Sequence, residues 1–376
     1  MGEIKLCSLV PLFRVADEEN VAIGAFNVNF YAQAEGILEG LMRANSPGII
    51  QASRGANKFQ GGADKIQEMV LLAMKNLGTD IPICLHLDHG DLDSAKSCID
   101  GGFSSVMVDY STVEDPVTKE KVKRPLEENI AKTLEAVLIA HGKGVSVEGE
   151  MGVLKGKEEH VESKVSIYPT VEEVLRYCNE TGVDAIAVAC GTLHGLANGG
   201  YDGLQFKLIE DCHRQLRDRG LLAGLVLHGS STVPIEIVRE INKYGGKLAE
   251  ESKVPLSDIK RAISLGVRKV NIDTDLRLGI TATFRKYFND NPRVEEYSTA
   301  LSIIKQDLAK DAKFIDPRDY LKSLINWSPE LLRVDYRTLG DVYFRNVMDL
   351  VKERVASHVY LLVNEFGSAG LADRVK

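Results

Sequence analysis

Eight short apolar segments alternate with amphipathic helical segments through most of this 376-residue chain. Strands that alternate with helices are typical of parallel βαβ units, and nearly continuous apolar runs are typical of strands covered on both faces. Eight such units favour an α/β fold of the closed (β/α)8 type, a TIM barrel, over an open doubly wound sheet. The predicted strands are residues 21–28, 48–53, 81–88, 104–109, 144–150, 184–190, 221–228 and 267–273.

The same pattern divides the chain into a barrel and a tail. Residues 1–290 are predicted to form the barrel domain, in which a short helix at 11–20 precedes the first strand and closes the barrel bottom. Residues 291–376 are predicted to form a helical C-terminal extension, with its clearest helix at 340–366. Because this extension is longer than a last barrel helix requires, we expect it to contribute contacts in a homodimer or homotetramer.

Composition argues against several classes of protein. An apolar content of 44% and a charged content of 27% match an ordinary globular protein. A net charge of −8 argues against a nucleic-acid or anionic-membrane partner. The first residues lack a basic-then-apolar signal, no apolar run approaches a membrane span, and the six cysteines are scattered without close pairing. We therefore expect a cytoplasmic protein.

Three histidines, each followed directly by glycine, come after apolar strand segments. The pairs are His89-Gly90, His194-Gly195 and His228-Gly229. Three neutral imidazoles that meet at one point suit a zinc-type divalent ion and leave a coordination position for substrate. A glycine beside each ligand removes the Cβ that would keep a phosphate from the backbone N–H groups. The pattern predicts a metal site that receives a phosphorylated small molecule.

A fourth such pair, His141-Gly142, has a different interpretation. It ends a helical stretch and precedes the strand at 144–150. Histidine in the last helical turn, followed by a glycine in the left-handed conformation, is a common way to end a helix. We therefore assign this pair to helix termination and leave it out of the metal site.

Nearly every predicted strand ends in a polar or ionisable residue. In a parallel barrel these strand ends form the active-site face, and buried polar groups without a role are costly. Asn27 and Ser53 would individually also suit a turn. The set comprises Asn27, Ser53, Asp88, His89, Asp109, Glu150, His194, His228, Asn271 and Asp273.

Asp88 is the candidate proton-transfer group because it directly precedes His89. Its carboxylate can face substrate while the imidazole faces metal, although it could instead orient a ligand histidine. Asp109 and Glu150 could orient ligands or offer an alternative metal position. His86, two residues before Asp88, is interpreted as a core residue or as a partner of the metal ligands.

Several ordered motifs together resemble the class II, metal-dependent fructose-bisphosphate aldolases. The most specific are HLDHG, GTLHG, HGSST and VNIDTDLR, and GAFNVN, SSVMVD, VSVEGEMG and FGSAG also match. The similarity covers most of residues 5–290, together with 316–321 and 366–370.

The resemblance implies a role for each matching position. His89, His194 and His228 resemble the ligands of one catalytic Zn²⁺, and Glu150 and Asp109 resemble the acidic positions that complete its surroundings. Asp88 resembles the acid/base group, and the segment KGKEEHVE resembles a mobile loop with a second proton-transfer group, for which Glu158 or Glu159 is the candidate and Glu159 is our choice. The groups that resemble contacts to the dihydroxyacetone phosphate half are Gly195, Gly229, Ser231, Asn271, Asp273 and Thr274. Asn27 and Ser53 resemble contacts to the other half, and Arg318 resembles an arginine that reaches a neighbouring subunit's distal phosphate.

Two features depart from the family pattern. Asn198 stands where a lysine is expected, in the region that serves the phosphate and a monovalent cation, so a monovalent cation is a further cofactor that the resemblance allows. Extra sequence is present around 293–312 and 324–345. Both features bear on the ketose preferred more than on the reaction.

These observations predict a zinc-dependent aldolase that cleaves fructose 1,6-bisphosphate into two triose phosphates, a step of glycolysis and gluconeogenesis. A sister aldolase for tagatose 1,6-bisphosphate or another phosphorylated ketose is the alternative. A metal-dependent hydrolase on the same fold would usually have a pair of histidines on the first strand, which GAFNVN lacks. A barrel that binds metal without catalysis would have no need of Asp88.

Overall fold

The computed structural model describes residues 6–114, 121–153, 155–158, 161–163, 166–194, 201–250 and 253–375. The strands in these ranges are β1 (Ile23–Asn27), β2 (Gly48–Ser53), β3 (Ile83–Gly90), β4 (Ser105–Val108), β5 (Thr112–Glu114), β6 (Lys121–Lys123), β7 (Ser146–Met151), β8 (Lys155–Glu158), β9 (Val161–Ser163), β10 (Ala185–Val188), β11 (Leu193–His194), β12 (Gly224–Leu227) and β13 (Val267–Ile272).

The helices belong to the barrel wall and to the C-terminal extension. They are α1 (Leu9–Glu19), α2 (Tyr31–Arg43), α3 (Arg54–Gln60), α4 (Ala63–Leu77), α5 (Leu92–Asp100), α6 (Leu126–His141), α7 (Val171–Thr181), α8 (Phe206–Asp218), α9 (Ile235–Lys243), α10 (Leu256–Ser264), α11 (Thr274–Asp290), α12 (Thr299–Leu308), α13 (Pro317–Tyr320), α14 (Lys322–Trp327) and α15 (Val342–Glu365). Short 3-10 turns lie at Val294–Glu296, Pro329–Leu332, Tyr336–Thr338 and Ala372–Arg374.

Eight parallel strands close into a barrel in the order β1-β13-β12-β10-β7-β4-β3-β2. β1 pairs with both β2 and β13, which closes the ring. The (β/α)8 fold and all eight predicted strands are confirmed. Because parallel strands end on the same side, their carboxyl ends bring residues from the whole chain together. The register between β2 and β3, for example, places Ser53 beside Asp88.

Helix α1 closes the opposite end of the barrel, as predicted. Leu9, Leu12 and Phe13 are buried, and they belong to one hydrophobic cluster with strand residues such as Ile49 and Met107. The backbone N–H of Leu9 also donates to Oγ of Ser146 at 3.0 Å. The end of the barrel away from the predicted site is therefore packed with apolar side chains.

The predicted helix at 340–366 is confirmed as α15, which packs against α2 and α11 of its own barrel. Two glycines of α2 allow this close approach. A Cβ at Gly36 would lie 2.6 Å from the carbonyl oxygen of Lys352, and one at Gly40 would lie 2.6 Å from that of Ala356. Helix α15 of the extension is thus packed directly on the helices of its own barrel. The boundary at 290 coincides with the end of α11, and the division into two units stays a prediction.

Helix α6 ends at His141 as predicted, but the conformation of the next residue was predicted wrongly. Gly142 has a right-handed φ of −59°, and the positive φ, 73°, occurs at Gly144. The N–H groups of Lys143 and Gly144 donate to the carbonyl oxygens of Ala140 and His141, which adds one more turn after the helix. The left-handed residue therefore comes two positions later, where glycine again permits it.

The cysteines behave as small apolar residues. All six are free thiols, and all except Cys7 are buried. Burial raises the pKa of the Cys178 and Cys190 thiols to about 12, so neither is a thiolate near neutral pH. In the part of the chain that the structure covers, no helix combines the length and the apolar character needed to cross a membrane.

Candidate active site

The barrel places the predicted polar residues at or just beyond the carboxyl ends of its strands. They come from seven of the eight strands and from the segments that follow them, so residues distant in the sequence become neighbours. The residues so placed are Asn27, Ser53, Asp88, His89, Asp109, Glu150, His228, Asn271 and Asp273.

Two of the three predicted histidine ligands meet. Nε2 of His89 lies 2.9 Å from Nδ1 of His228, and the rings are edge-on at an interplanar angle of 81°. His89 has a φ of 49°, a conformation that costs a non-glycine residue about 1–3 kcal/mol. It lies where the register between β3 and β4 shifts. Strain of this kind persists where the surrounding structure fixes it, and here it accompanies the turn of the imidazole toward His228.

Two carboxylates approach the other nitrogen of the His89 ring. Nδ1 lies 3.5 Å from Oδ2 of Asp109 and 3.6 Å from Oε2 of Glu150. Burial acts to raise the pKa of Asp109, but its contacts with His89 and its hydrogen bonds from Ser111 outweigh burial and lower the pKa to about 2. Asp109 is therefore an anion beside this ring at neutral pH.

The described side chains fit a divalent metal ion. Asp88, His89 and His228 form one group whose candidate ligand atoms all lie within 4.8 Å of one another, and His89, Asp109 and Glu150 form a second. Imidazole nitrogens and carboxylate oxygens are donors that Zn²⁺ uses. Because His89 belongs to both groups, the two positions adjoin. Ligation by these residues stays a prediction.

A buried carboxylate that the sequence analysis missed holds His228. Nε2 of His228 donates to Oε1 of Glu148 at 2.7 Å, and Nζ of Lys269 donates to Oε2 at 2.7 Å. Glu148 and Lys269 are fully buried. Burial acts to raise the pKa of Glu148, but Lys269 and His228 hold it well below its usual value. A proton kept on Nε2 makes Nδ1 the lone-pair nitrogen, and Nδ1 faces His89.

His86 also belongs to this buried layer. Its Nε2 lies 3.4 Å from Oε2 of Glu148, and its Nδ1 lies 2.8 Å from Oγ of Ser105. Burial, together with the nearby Lys269, lowers the pKa of His86 well below its usual value, so the ring is neutral. The interpretation of His86 as a core residue is confirmed, and its partner Glu148 also holds the proposed ligand His228. Glu148 could have been found in the sequence, because it lies two residues before Glu150 on the same strand face.

Asp88 is oriented by two amides. Nδ2 of Asn27 donates to Oδ2 of Asp88 at 2.8 Å, and Nε2 of Gln51 approaches the same oxygen at 3.3 Å. Gln51 also donates to Oδ1 of Asn27 at 2.7 Å, which fixes the amide pair. Oδ1 of Asp88 has no hydrogen-bond partner within the described residues. One oxygen is therefore held, and the other is the candidate proton acceptor.

Ser231 joins the turn after β12 to the segment after β13. Its Oγ accepts hydrogen bonds from the N–H groups of Asp273 at 3.2 Å and Thr274 at 3.0 Å. Thr274 begins α11, and a helix N-terminus favours anions. Gly229 has a φ of 60°, which glycine adopts readily. Nδ2 of Asn271 lies 3.3 Å from Nδ1 of His228. These five residues of the predicted dihydroxyacetone phosphate set therefore lie together.

Ser53 and Arg318 form a second polar region. Nη1 of Arg318, on α13, lies 3.3 Å from Oγ of Ser53 in the same chain. Nη2 of Arg318 and Nη1 of Arg277 each donate to Oδ2 of Asp316 at 2.7 Å. Nε of Arg277 donates in turn to Oδ1 of Asp273 at 2.6 Å. Arg277 and Asp316, which carry no recognisable signal in the sequence, therefore join the two regions.

His194 lies on β11, whose backbone pairs with β8. The register places His194 opposite Gly156, and β8 forms an antiparallel hairpin with β9. The first four residues of the segment predicted to carry the second proton-transfer group, Lys155–Glu158, therefore run beside the backbone of His194. The imidazole of His194, together with Glu159, Gly195 and Asn198, lies outside what the structure describes.

Comparison with known proteins agrees with this geometry. The model of the family "Fructose-bisphosphate aldolase class-II" matches residues 8–340. A fructose-bisphosphate aldolase of Giardia intestinalis is 40% identical over 84% of this chain and 87% of its own length. One of Treponema pallidum is 35% identical over 85% of this chain and 93% of its own length.

Solved structures support the fold. The YdjI aldolase of Escherichia coli K12 superposes with a TM-score of 0.62 at 23% identity, over 98% of this chain and all of that one. The fructose-bisphosphate aldolase of Campylobacter jejuni gives a TM-score of 0.62 at 23% identity over 97% of both chains. With the family match across nearly the whole chain, these findings show that the chain is an aldolase and belongs to the class II fructose-bisphosphate aldolase family.

Proposed function

We propose that this chain cleaves fructose 1,6-bisphosphate reversibly into dihydroxyacetone phosphate and glyceraldehyde 3-phosphate, with one zinc ion as cofactor. The proposal is carried by one observation, the meeting of His89, His228 and the Asp88 carboxylate at the carboxyl end of the barrel. Polar regions suited to phosphate lie on two sides of this point. Relatives at 35–40% identity that are named fructose-bisphosphate aldolases support the choice of substrate.

The proposed zinc ligands are His89, His194 and His228, with Asp109 and Glu150 completing the surroundings. When bound, the ion supplies Lewis acidity toward the carbonyl and hydroxyl oxygens of the ketose. A donor set of imidazoles and carboxylates, with Nδ1 of His228 kept as a lone-pair nitrogen, supports zinc.

Asp88 is the proposed acid/base. Asn27 and Gln51 hold Oδ2, so Oδ1 is directed at the substrate. Oδ1 accepts the proton of the C4 hydroxyl as the C3–C4 bond breaks and the C4 oxygen becomes the aldehyde. The electron pair of the broken bond stays on C3 of the dihydroxyacetone phosphate half. Glu159 is the proposed donor of the proton that C3 then takes up.

The two phosphates are assigned to different regions. Gly229, Ser231 and Thr274, with Gly195, Asn271 and Asp273, are proposed to hold the dihydroxyacetone phosphate half, because a helix N-terminus and a glycine turn lie together there. Because Ser53 and Arg318 meet within one chain, they are proposed to bind the distal phosphate of their own subunit, in place of the neighbouring subunit's phosphate that the resemblance implies for Arg318, and Asn27 is proposed to bind the sugar hydroxyls nearby. Nη1 of Arg318, 3.3 Å from the Ser53 hydroxyl, is a charged donor that suits a phosphate oxygen, while Nε and Nη2 are held by Asp316.

A coupled assay of the zinc-loaded protein tests the proposal. We expect kcat/KM for fructose 1,6-bisphosphate to exceed that for tagatose 1,6-bisphosphate by at least about tenfold. A preference for the tagatose epimer would assign the chain to the sister reaction, and no turnover of either would refute the proposal. Borohydride added during turnover should trap no covalent lysine adduct, and a trapped lysine would refute the metal mechanism.

The remaining proposals concern the surroundings of the enzyme. We propose a homodimer or homotetramer with contacts through the extension, because Tyr297, Tyr343, Leu350 and Leu361 expose large apolar side chains there. From the family resemblance we also propose a monovalent cation beside the phosphate and a cytoplasmic location. From the net charge of −8 we propose that the protein has no nucleic-acid or membrane partner. Sedimentation equilibrium tests the assembly, since a monomer at micromolar concentration would refute it.

A further inference from the structure

The turn after β12 has an unfavourable backbone conformation. Val233 has a φ of 47°. For a β-branched residue this left-handed conformation is a genuine outlier, which persists only where other contacts hold it. The turn begins at Gly229 and includes Ser231, so it carries groups that we assign to the substrate phosphate. The contacts that hold Val233 in this conformation therefore also influence the proposed phosphate site.

One buried carboxylate holds the strained turn. Oδ1 of Asp275 accepts from the N–H of Val233 at 2.7 Å. Oδ2 accepts from the N–H of Thr232 at 3.0 Å and from its hydroxyl at 2.8 Å. Asp275 lies in the first turn of α11 and is fully buried. Three charge-assisted hydrogen bonds from the turn therefore converge on this buried side chain.

The carboxylate is held in turn from the C-terminal extension. Nε2 of His358, on α15, lies 3.3 Å from Oδ2 of Asp275. The His358 side chain is only 13% exposed. Helix α15 is seated closely against the barrel at Gly36 and Gly40. Helix α15 therefore presents Nε2 of His358 to the Asp275 carboxylate, which holds the turn at Val233.

The contact between the turn and α11 runs in both directions. Asp275 of α11 accepts from the turn, and Ser231 of the turn accepts from the N–H groups of Asp273 and Thr274. The relative position of the two phosphate-binding segments is thus set by hydrogen bonds that converge on Ser231 and Asp275. If the contacts at Ser231 or at Asp275 were lost, the turn and the start of α11 could shift relative to each other. The groups that bind the anion would then be less well directed toward it.

We propose that His358 and Asp275 are positioning residues that hold the Gly229–Val233 turn and the start of α11 in the geometry that binds the substrate phosphate. This inference rests on the proposed function. The C-terminal extension thereby acts on the phosphate site without touching substrate. The expected signature is a change in phosphate affinity and KM, with metal affinity unaffected.

The chain offers a matched control at the other end of the barrel. Nε2 of His141 lies 2.9 Å from Oδ2 of Asp184, which accepts from the N–H of Val147 at 2.8 Å. This histidine, carboxylate and backbone N–H repeat the construction at the amino ends of β7 and β10. His141→Ala removes a similar contact far from the proposed phosphate site.

The experiment measures binding of inorganic phosphate by calorimetry and steady-state kinetics with fructose 1,6-bisphosphate. His358→Ala should weaken phosphate binding and raise KM by about three- to tenfold, the size expected for one ordinary hydrogen bond, because the contact with Asp275 acts on the phosphate only through the turn. His358→Gln, which retains a donor at the end of the side chain, should recover most of the loss. Asp275→Asn should weaken phosphate binding at least as much, and His141→Ala should match the wild type.

Three results of the phosphate-binding measurement would overturn the proposal. They are a wild-type protein that does not bind inorganic phosphate, His358→Ala with unchanged phosphate affinity, and an equal loss in His141→Ala. The phosphate measurement needs no turnover, so failure of the proposed aldol cleavage and failure of this inference are separable. Loss of zinc from His358→Ala would also contradict a role confined to the phosphate turn.

Discussion

Nε2 of His228 donates to Oε1 of Glu148 across 2.7 Å inside the barrel, where neither side chain has appreciable contact with solvent. The carboxylate fixes the tautomer of the imidazole and increases the electron density on its other nitrogen. That nitrogen, Nδ1, is the one that faces His89. The donor strength of a proposed metal ligand is therefore set by a residue on a different strand.

Glu148→Gln should lower zinc affinity by about 10- to 100-fold, because a neutral amide is a weaker acceptor for the Nε2 proton. Competition with a chromogenic chelator measures this directly. Glu35→Gln is the matched control, because Glu35 is equally buried and lies on α2, away from the site. Its Oε1 is 2.6 Å from Nη2 of Arg337, so it also has a cationic partner. Unchanged zinc affinity in Glu148→Gln, or an equal loss in Glu35→Gln, would contradict the assigned role.

Lys269→Met should destabilise the protein by about 3–5 kcal/mol, because it leaves the Glu148 carboxylate buried without its cation. Denaturant unfolding of the metal-free protein gives this free energy. The double variant Lys269→Met with Glu148→Gln should recover part of the lost free energy of unfolding, because it no longer buries an unpaired charge. If the double variant is as unstable as the sum of the single variants, the two side chains are not coupled.

Asp88→Asn should reduce kcat by about 100-fold or more while zinc content stays at the wild-type level. The amide keeps the shape of the side chain but cannot accept the C4 hydroxyl proton. Asp93→Asn, at an exposed carboxylate on α5, should leave kcat unchanged. Parallel metal analysis and turnover assays decide the matter, and full turnover by Asp88→Asn would rule out its proposed role.

The barrel was predictable because its signal is distributed over the whole chain. Eight apolar runs, each 4–8 residues long in the structure, allow only a few parallel arrangements, and nearly every strand end carried a polar residue. His89 and His228 could be placed together on that basis alone. The extension was predicted to be helical, but no comparable periodicity describes the residues around 293–345, so the bounds of its short helices were not predicted.

The residues that the sequence did not reveal act through side chains that meet across the barrel. Lys269 and Glu148 lie 121 positions apart and pair only after the strands have closed. Arg277 lies on α11 and Asp316 directly precedes α13, so this pair likewise forms only in the folded chain. An isolated Lys or Glu in an apolar strand carries no sign of its partner, so such pairs require the fold.

The stability of the protein should depend on pH through His213. Burial, with Arg268 and Arg217 nearby, lowers the pKa of His213 from 6.5 to about 4. The unfolded chain therefore binds this proton more tightly, and the stability associated with neutral His213 is present above pH 6.5 and is lost as pH falls toward 4. Relative to His213→Gln, the wild type should lose stability over this window. Denaturation curves at several pH values measure the difference, and a constant difference would contradict the lowered pKa.

The most direct test of the account is the relation between bound zinc and aldol cleavage. The protein is stripped with a chelator, its fold is checked by circular dichroism, and zinc is returned in steps during a fructose 1,6-bisphosphate assay. The account predicts a folded but inactive metal-free protein, with turnover that rises in proportion to zinc and saturates at about one ion per chain. A metal-free protein that cleaves the substrate at the full rate would contradict it.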